Sequence, residues 1–428
     1  MICTLTNNSF DKTKRTTFLD DSFSKKNSIA FALLLLAAIL EETIRSFVQL
    51  SSVPIPELLI SAIDIVAYLL LYLFIFLHLN KKQVFNSFKQ SILLVLLLFL
   101  VYCFSLIINN KILVYLSSFL NILFKAVLYI FFGKMLRAYK MDLKTFRPFY
   151  FIVSMYCIIT VLFPMADDYY MIFSYYVLPW CVIAYCSSSR LKSKFDFLFF
   201  LLFFAAMLLS GARMPCLIVL VFIAFDFIFL KKNDAKGIAK KLVLLVFAFS
   251  IVLTLLIFGS SIAQFLESKN VSSRFLTKLL NGQLLESVQR VKIYDAISSA
   301  IRHDPYSFKG LFSDRIYLGE TYIGTNELNI TIDGSDNFAY LYSHNLVLET
   351  IFEFGVVLGS LFLATLAIKS LKTIVLMRSD TNGVIALLFS FSVGLFPLLV
   401  SNSYLIYPLF WFFLGFIFDN KLAFQIRL

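Results

Sequence analysis

Apolar runs of membrane-spanning length alternate with short polar connections along almost the whole chain. They fall at about 28–49, 56–79, 91–109, 112–133, 148–165, 169–187, 195–210, 214–230, 242–260, 344–368, 383–400 and 403–418. Each approaches the roughly 20 residues that a helix needs to cross a bilayer. Inside lipid the backbone must satisfy its own hydrogen bonds, so runs of this kind are helices. The pattern predicts an all-α, polytopic integral membrane protein of about twelve transmembrane helices. Glu41, Glu42 and Arg45 interrupt the first run, and one polar interval, 261–343, breaks the rhythm.

Composition agrees with the pattern. The chain of 428 residues is 60% hydrophobic and 15% charged, with mean hydropathy +0.85. A soluble domain is nearer half apolar and a quarter charged. A net charge of +12 would suggest nucleic acid as the partner of a soluble protein. Here its placement matters more. Twenty-six Lys and Arg fall on one side of the predicted membrane, against three (Arg45, Lys111, Arg213) at the short connections of the other. By the positive-inside rule both termini are expected in the cytoplasm and the long interval outside, with no nucleic-acid role. The chain then divides into a cytoplasmic tail (1–27), helices one to nine (28–260), a large extracytoplasmic loop (261–343), helices ten to twelve (344–418) and a second cytoplasmic tail (419–428). A basic, polar N-terminal stretch ahead of the first run reads as a signal-anchor rather than a cleaved signal. Six cysteines, none in the long loop and none as CxxC, indicate neither disulfides nor zinc.

Polar residues at membrane depth narrow the search for chemistry. Asp64 and Lys125 read equally as functional groups or as satisfied interior ones, and His78 as a snorkelling interfacial residue. Asp167-Asp168 lacks the spacing of a metal-binding acid pair. Arg213 follows the short outer turn Ser210-Gly211-Ala212, which makes it either an interfacial anchor or a fork for phosphate oxygens. In the loop, Ser287–Ile301 carries apolar residues at helical spacing (Val288, Val291, Tyr294, Ala296, Ile297, Ile301), an amphipathic helix expected on the outer leaflet or over a cavity. His303, Gly310 and Arg315 follow, then a turn at Asp333-Gly334.

The richest stretch is Ser343–Gly359, SHNLVLETIFEFGVVLG. A helix starting there should offer unpaired N–H groups and the positive end of its dipole beside His344, an anion site. Asn345, Glu349 and Glu353 are spaced i, i+4, i+8 and share one face. At 1.5 Å per residue Glu349 lies about 7 Å and Glu353 about 13 Å along the helix from His344. Glu349 is thus expected at the mouth of a site and Glu353 as a buried structural group.

With these residues in view, the chain resembles the bacterial O-antigen polymerase and O-antigen ligase family, the Wzy-type membrane glycosyltransferases. The matching features are SGAR (Ser210–Arg213), Arg290 at the start of the loop helix, P-x(4)-G (Pro305, Gly310) and HNxxLExxxEFG (His344–Gly355), in that order on one side of the membrane. The resemblance implies a GT-C-like fold and a glycan donor on undecaprenyl diphosphate. It also implies attack by a sugar hydroxyl, with no metal and no cofactor. Under it, His344 and then Glu349 are the catalytic candidates, and Arg213, Arg290 and Arg315 would meet the departing diphosphate. Asn345 and Glu353 would form the structural polar face. The implied surroundings are the lipid bilayer of the bacterial inner membrane, with a chain-length regulator and a flippase as partners. A polymerase reading is preferred to an O-antigen ligase acting on lipid A core. Two rivals remain: a lipid-linked oligosaccharide flippase, which should show an internal repeat, and a purely structural or partner-binding membrane protein.

Overall fold

The computed structural model of the protein describes residues 24–41, 43, 57–78, 81–138, 141–162, 169–210, 213–226, 288–322, 342–377, 381–400 and 402–418. Among them there are helices, turns and no strand. In chain order the helices are α1 (24–41), α2 (Glu57–His78), α3 (Lys81–Ile108), α4 (Leu116–Ala138), α5 (Arg147–Leu162), α6 (Tyr169–Leu191), α7 (Lys194–Leu209) and α8 (Arg213–Phe225). After them come α9 (Val288–His303), α10 (Ser313–Tyr322), α11 (Leu346–Met377), α12 (Thr381–Ser390), α13 (Phe396–Val400) and α14 (Pro408–Ile417). A π-helical turn, Phe391–Leu395, joins α12 to α13. Most of the described parts of the predicted runs fall on helices, but 403–407, the start of the last run, is a turn ahead of α14. The run at 242–260, the pair Asp167-Asp168 and the turn Asp333-Gly334 lie outside the described residues.

Among the described residues, three helical stretches are long and apolar enough to cross a membrane: Phe85–Ile108, Asn110–Arg137 and Leu346–Met377. The last is not one straight rod. At Gly355 the backbone adopts φ 73°, ψ 166°, a region open essentially to glycine. Beyond it the chain doubles back: a Cβ on Gly359 would lie only 2.8 Å from the carbonyl oxygen of Thr350. In a continuous helix residues nine apart would be about 13 Å apart. The element is a half-helix, α11a (346–354), followed by α11b (356–377), whose length alone suffices to span the membrane.

The chain forms two compact units. The first comprises residues 1–89 and 134–210. Its core is aromatic: Phe146, Tyr150, Trp180 and Phe203 are fully buried, with Phe146 edge-on to Trp180 and Tyr150 edge-on to Phe203. At one end Arg147 forks onto Asp196, Nη2 to Oδ2 at 2.6 Å and Nε to Oδ1 at 3.0 Å. Ser187 Oγ donates to the same carboxylate at 2.8 Å. This ties α5, α6 and α7 together. His78 lies at the end of α2, its Nδ1 3.1 Å from the Phe74 carbonyl.

The second unit comprises 90–133 and 211–428 and carries all the residues of the loop and of Ser343–Gly359. There α4 and α14 touch backbone to backbone, since a Cβ on Gly133 would meet the Phe412 carbonyl at 2.0 Å and one on Gly415 the Ile130 carbonyl at 2.1 Å. Small residues permit this proximity between membrane helices. The amphipathic helix predicted in the loop is α9, and it packs on protein. Ile293 and Ile297 close a core with Leu318 of α10 and Phe352 of α11a, while Val291, placed on the apolar face by spacing, is 57% exposed.

Candidate functional site

The loop after α9 is built into the break in α11. Val356 N–H donates to the Pro305 carbonyl at 2.7 Å, and the Glu353 carbonyl accepts from Lys309 N–H at 2.9 Å and Gly310 N–H at 3.0 Å. The backbone groups freed when the helix breaks are thus satisfied by the P-x(4)-G turn. Gly310 is in the left-handed region (φ 92°), and its neighbour Leu311 donates its N–H to Ser105 Oγ at 3.0 Å. Phe312 is also left-handed (φ 64°), fully buried and stacked on Tyr115 at 5.0 Å. Its N–H donates to Glu353 Oε1 at 2.6 Å.

This wedge delivers α10 beside the polar face of α11a. Asp314, Glu349 and Glu353 are fully buried, and one carboxylate oxygen of each lies within 4.8 Å of the others. Glu349 accepts from Ser403 Oγ and, at 3.3 Å, from Tyr404 N–H; Glu353 accepts from Tyr404 Oη as well as Phe312 N–H. Asp314 Oδ2 accepts from both Ser343 N–H (2.9 Å) and Ser343 Oγ (2.7 Å). Arg315 supplies positive charge: it is 2% exposed, enclosed by the rings of Phe312, Tyr342 and Tyr115, and its Nη2 donates to Ser403 Oγ at 3.2 Å.

The cluster is the one group of possible metal ligands found among the described residues. Hard cations prefer such oxygens. Every carboxylate oxygen except Asp314 Oδ1 already accepts a hydrogen bond from the protein. A cation would therefore compete with Ser343, Ser403, Tyr404 and Phe312 for the same lone pairs, so the donor set fits a hydrogen-bonded network better than an oxygen cage.

The network carries the His344 turn. Ser343 is fixed to Asp314 on one side; on the other, Asn345 Nδ2 donates to the Leu399 carbonyl at 3.0 Å. Between them His344 is half-buried and left-handed, φ 50°. Its ring lies against Tyr342, centroids 3.9 Å apart, and its carbonyl accepts from Tyr294 Oη at 3.4 Å. Non-glycine residues in this conformation carry strain that only well-braced surroundings hold. Arg290 stands one turn before Tyr294 on α9. Burial raises the Tyr294 phenol above its ordinary value, while the Arg290 charge acts to lower it.

The structure corrects three expectations. The half-helix does not offer a row of free donors beside His344, because Asn345 Oδ1 caps the N–H groups of Val347 (2.9 Å) and Leu348 (3.2 Å). Asparagine is a preferred N-cap, so this was readable from its type. Glu349, expected at the mouth, has no exposed surface and both oxygens occupied. Arg315, expected to face a diphosphate, is enclosed against aromatic rings and Ser403. Asn345, Glu349 and Glu353 do share one face, turned toward 399–404. Arg213 opens α8, and its side chain, like that of Asp64, lies outside the described residues. Lys125 is 9% exposed within α4. Sequence reasoning missed Asp314, Ser403 and Tyr404. Their only signal was polarity: an Asp beside Arg315, and a polar Ser401-Asn402-Ser403 interruption between two apolar runs.

Residues 198–363 match the family model described as Wzy_C, O-antigen ligase. Over that stretch the chain is similar to the O-antigen polymerase/ligase family. The matched stretch takes in the backbone of Arg213, all of α9 and α10, the His344 turn and α11a. Ser403 and Tyr404, which hold its two glutamates, lie beyond the matched stretch. No curated protein and no solved structure matches the chain.

Proposed function

We propose that this protein is a membrane glycosyltransferase that polymerises a surface polysaccharide, O-antigen or capsule. It moves a glycan from undecaprenyl diphosphate to a sugar hydroxyl on another lipid-linked repeat unit, at the outer face of the bacterial inner membrane. The observation that carries the reading is the His344 turn: a partly open imidazole in a strained backbone, braced through Ser343 to Asp314 and through Asn345 to Leu399. The family match supports the reaction class.

His344 accepts the proton of the attacking hydroxyl as its oxygen bonds to the anomeric carbon, and the bond from that carbon to the diphosphate breaks. Negative charge then grows on the leaving diphosphate. Arg213 and Arg290 meet it, each such donor contributing roughly a 100- to 1,000-fold rate factor. Arg315 and Glu349 do not touch the reacting atoms; they hold the network that fixes α11a. Metal plays no part in this scheme, and chain-length regulator and flippase remain its expected partners.

The description of the matching family favours a second reading, an O-antigen ligase whose acceptor is lipid A core. Purified protein in proteoliposomes, given only its lipid-linked repeat unit, should produce a ladder of products that His344→Ala abolishes. Product only after lipid A core is added would establish the ligase. Translocation of the lipid-linked unit without any new glycosidic bond would make the protein a flippase and sink both readings.

A further inference from the structure

Beside the carboxylate network, on the face of α10 turned toward α9, the second unit holds a cleft of about 640 Å³. That is within the roughly 300–1,000 Å³ of small-ligand clefts. Its walls include Ser299 and His303 of α9, Phe308 of the wedge, and Ser313, Tyr317 and Glu320 of α10. None of these side chains has a part in the proton or diphosphate steps above.

Two observations say what the cleft takes. The first is Ser313. It lines the cleft and is 5% exposed; its Oγ has no hydrogen-bond partner among the described residues and is itself buried, so a ligand in the cleft reaches it through a turn of the side chain to another rotamer. A buried hydroxyl without a partner costs about 1–3 kcal/mol, so native structures rarely leave one unless a ligand or water completes it. The second is charge balance. Lys309 Nζ donates to the Asp304 carbonyl at 3.0 Å and lies 3.8 Å from its carboxylate, and Lys111 pairs with Glu320. The one lysine of the lining is thus held by its own acid, and the walls offer hydroxyls, an imidazole and the rings of Tyr317 and Phe308. A phosphate would meet two carboxylates there. An uncharged ring with apolar C–H faces and hydroxyl edges matches both the aromatic and the polar lining.

We infer that this cleft is a glycan-binding site that seats the acceptor sugar chain, not the donor's diphosphate. The identity of the ligand rests on the glycosyltransferase reading; the chemistry of the site does not. Ser313 and Asp314 are consecutive, so the residue that completes the glycan's hydrogen bonds adjoins the one that braces the His344 turn. Occupation of the cleft and placement of His344 are thereby connected through one peptide link.

The test is binding of the free repeat-unit oligosaccharide, released from the polysaccharide of the producing cell and stripped of lipid and phosphate, to the full-length protein in nanodiscs. Inorganic pyrophosphate is the comparison probe. Ser299→Trp fills the cleft from an exposed position of α9 and should weaken oligosaccharide binding at least about tenfold; Ser313→Ala removes one hydrogen bond and should weaken it about three- to tenfold. Neither should change pyrophosphate binding. Equal oligosaccharide binding by wild type and Ser299→Trp, no binding to wild type at millimolar probe, or loss of pyrophosphate binding in Ser299→Trp would each overturn the inference. Transfer assays separate the two readings. Wild-type transfer with the acceptor KM unchanged in Ser299→Trp removes the cleft and leaves the glycosyltransferase. Cleft-dependent binding without transfer by wild type removes the glycosyltransferase and leaves the cleft.

Discussion

If Asp314 serves the reaction by holding the His344 turn, then Asp314 and Ser343 act as one unit. Ser343→Ala deletes the Oγ bond to Asp314 Oδ2 but leaves the backbone N–H bond at 2.9 Å. Asp314→Asn keeps the shape and an acceptor oxygen while removing the charge. A hydrogen bond to a charged group contributes about 1.5–3 kcal/mol and a neutral one about 0.5–1.5 kcal/mol. Ser343→Ala therefore loses about 1.5–3 kcal/mol of bracing, and Asp314→Asn, weakening two bonds, loses about 2–3 kcal/mol. If the loss falls on the aligned state, transfer slows roughly 10- to 100-fold in either variant. The assay is single-turnover glycan transfer in proteoliposomes, with the melting temperature in detergent as a control on folding. Residues acting as one unit are non-additive. The double variant should be no more than about threefold slower than the worse single one, a coupling of about 1–3 kcal/mol. Wild-type rates in both single variants, or a double variant whose loss is the product of the two, would refute the reasoning.

Three further outcomes follow from the packing. Gly355→Ala puts a Cβ 2.9 Å from the Tyr306 carbonyl in a backbone region closed to side chains, and should cost about 2 kcal/mol or more, read as a lower melting temperature and reduced folded yield. Asp196→Ala strands Arg147, whose side chain is 33% exposed and keeps some hydration, so a loss of about 1–3 kcal/mol is expected in thermal melts, with acceptor KM unaltered. Transfer should continue in excess EDTA, measured as an unchanged product ladder. A loss restored by magnesium would instead make Asp314, Glu349 and Glu353 cation ligands.

The sequence by itself marked which segments are apolar enough for lipid. Lipid admits only apolar side chains on self-bonded backbone, so the runs at 91–109, 112–133 and 169–187 announce the helices found there. The shared face of Asn345, Glu349 and Glu353 is equally a property of one helix, fixed by its 3.6-residue period. The turn at Ser343–Asn345 was legible for the same reason. Only tertiary structure decided what those groups meet. Glu353 finds Phe312 41 positions before it and Tyr404 51 after it, and Asp314 finds Ser343 29 positions on. Such pairings depend on how helices cross and leave no period in the chain. The break at Gly355 was hidden because EFGVVLG is as apolar as a continuous span; it exists because the Pro305–Gly310 turn supplies the hydrogen bonds that the broken helix gives up. Arg315 shows the same division. Its charge was readable, but whether a guanidinium faces an open anion or an aromatic enclosure is settled by Tyr115 and Tyr342, which come from distant parts of the chain.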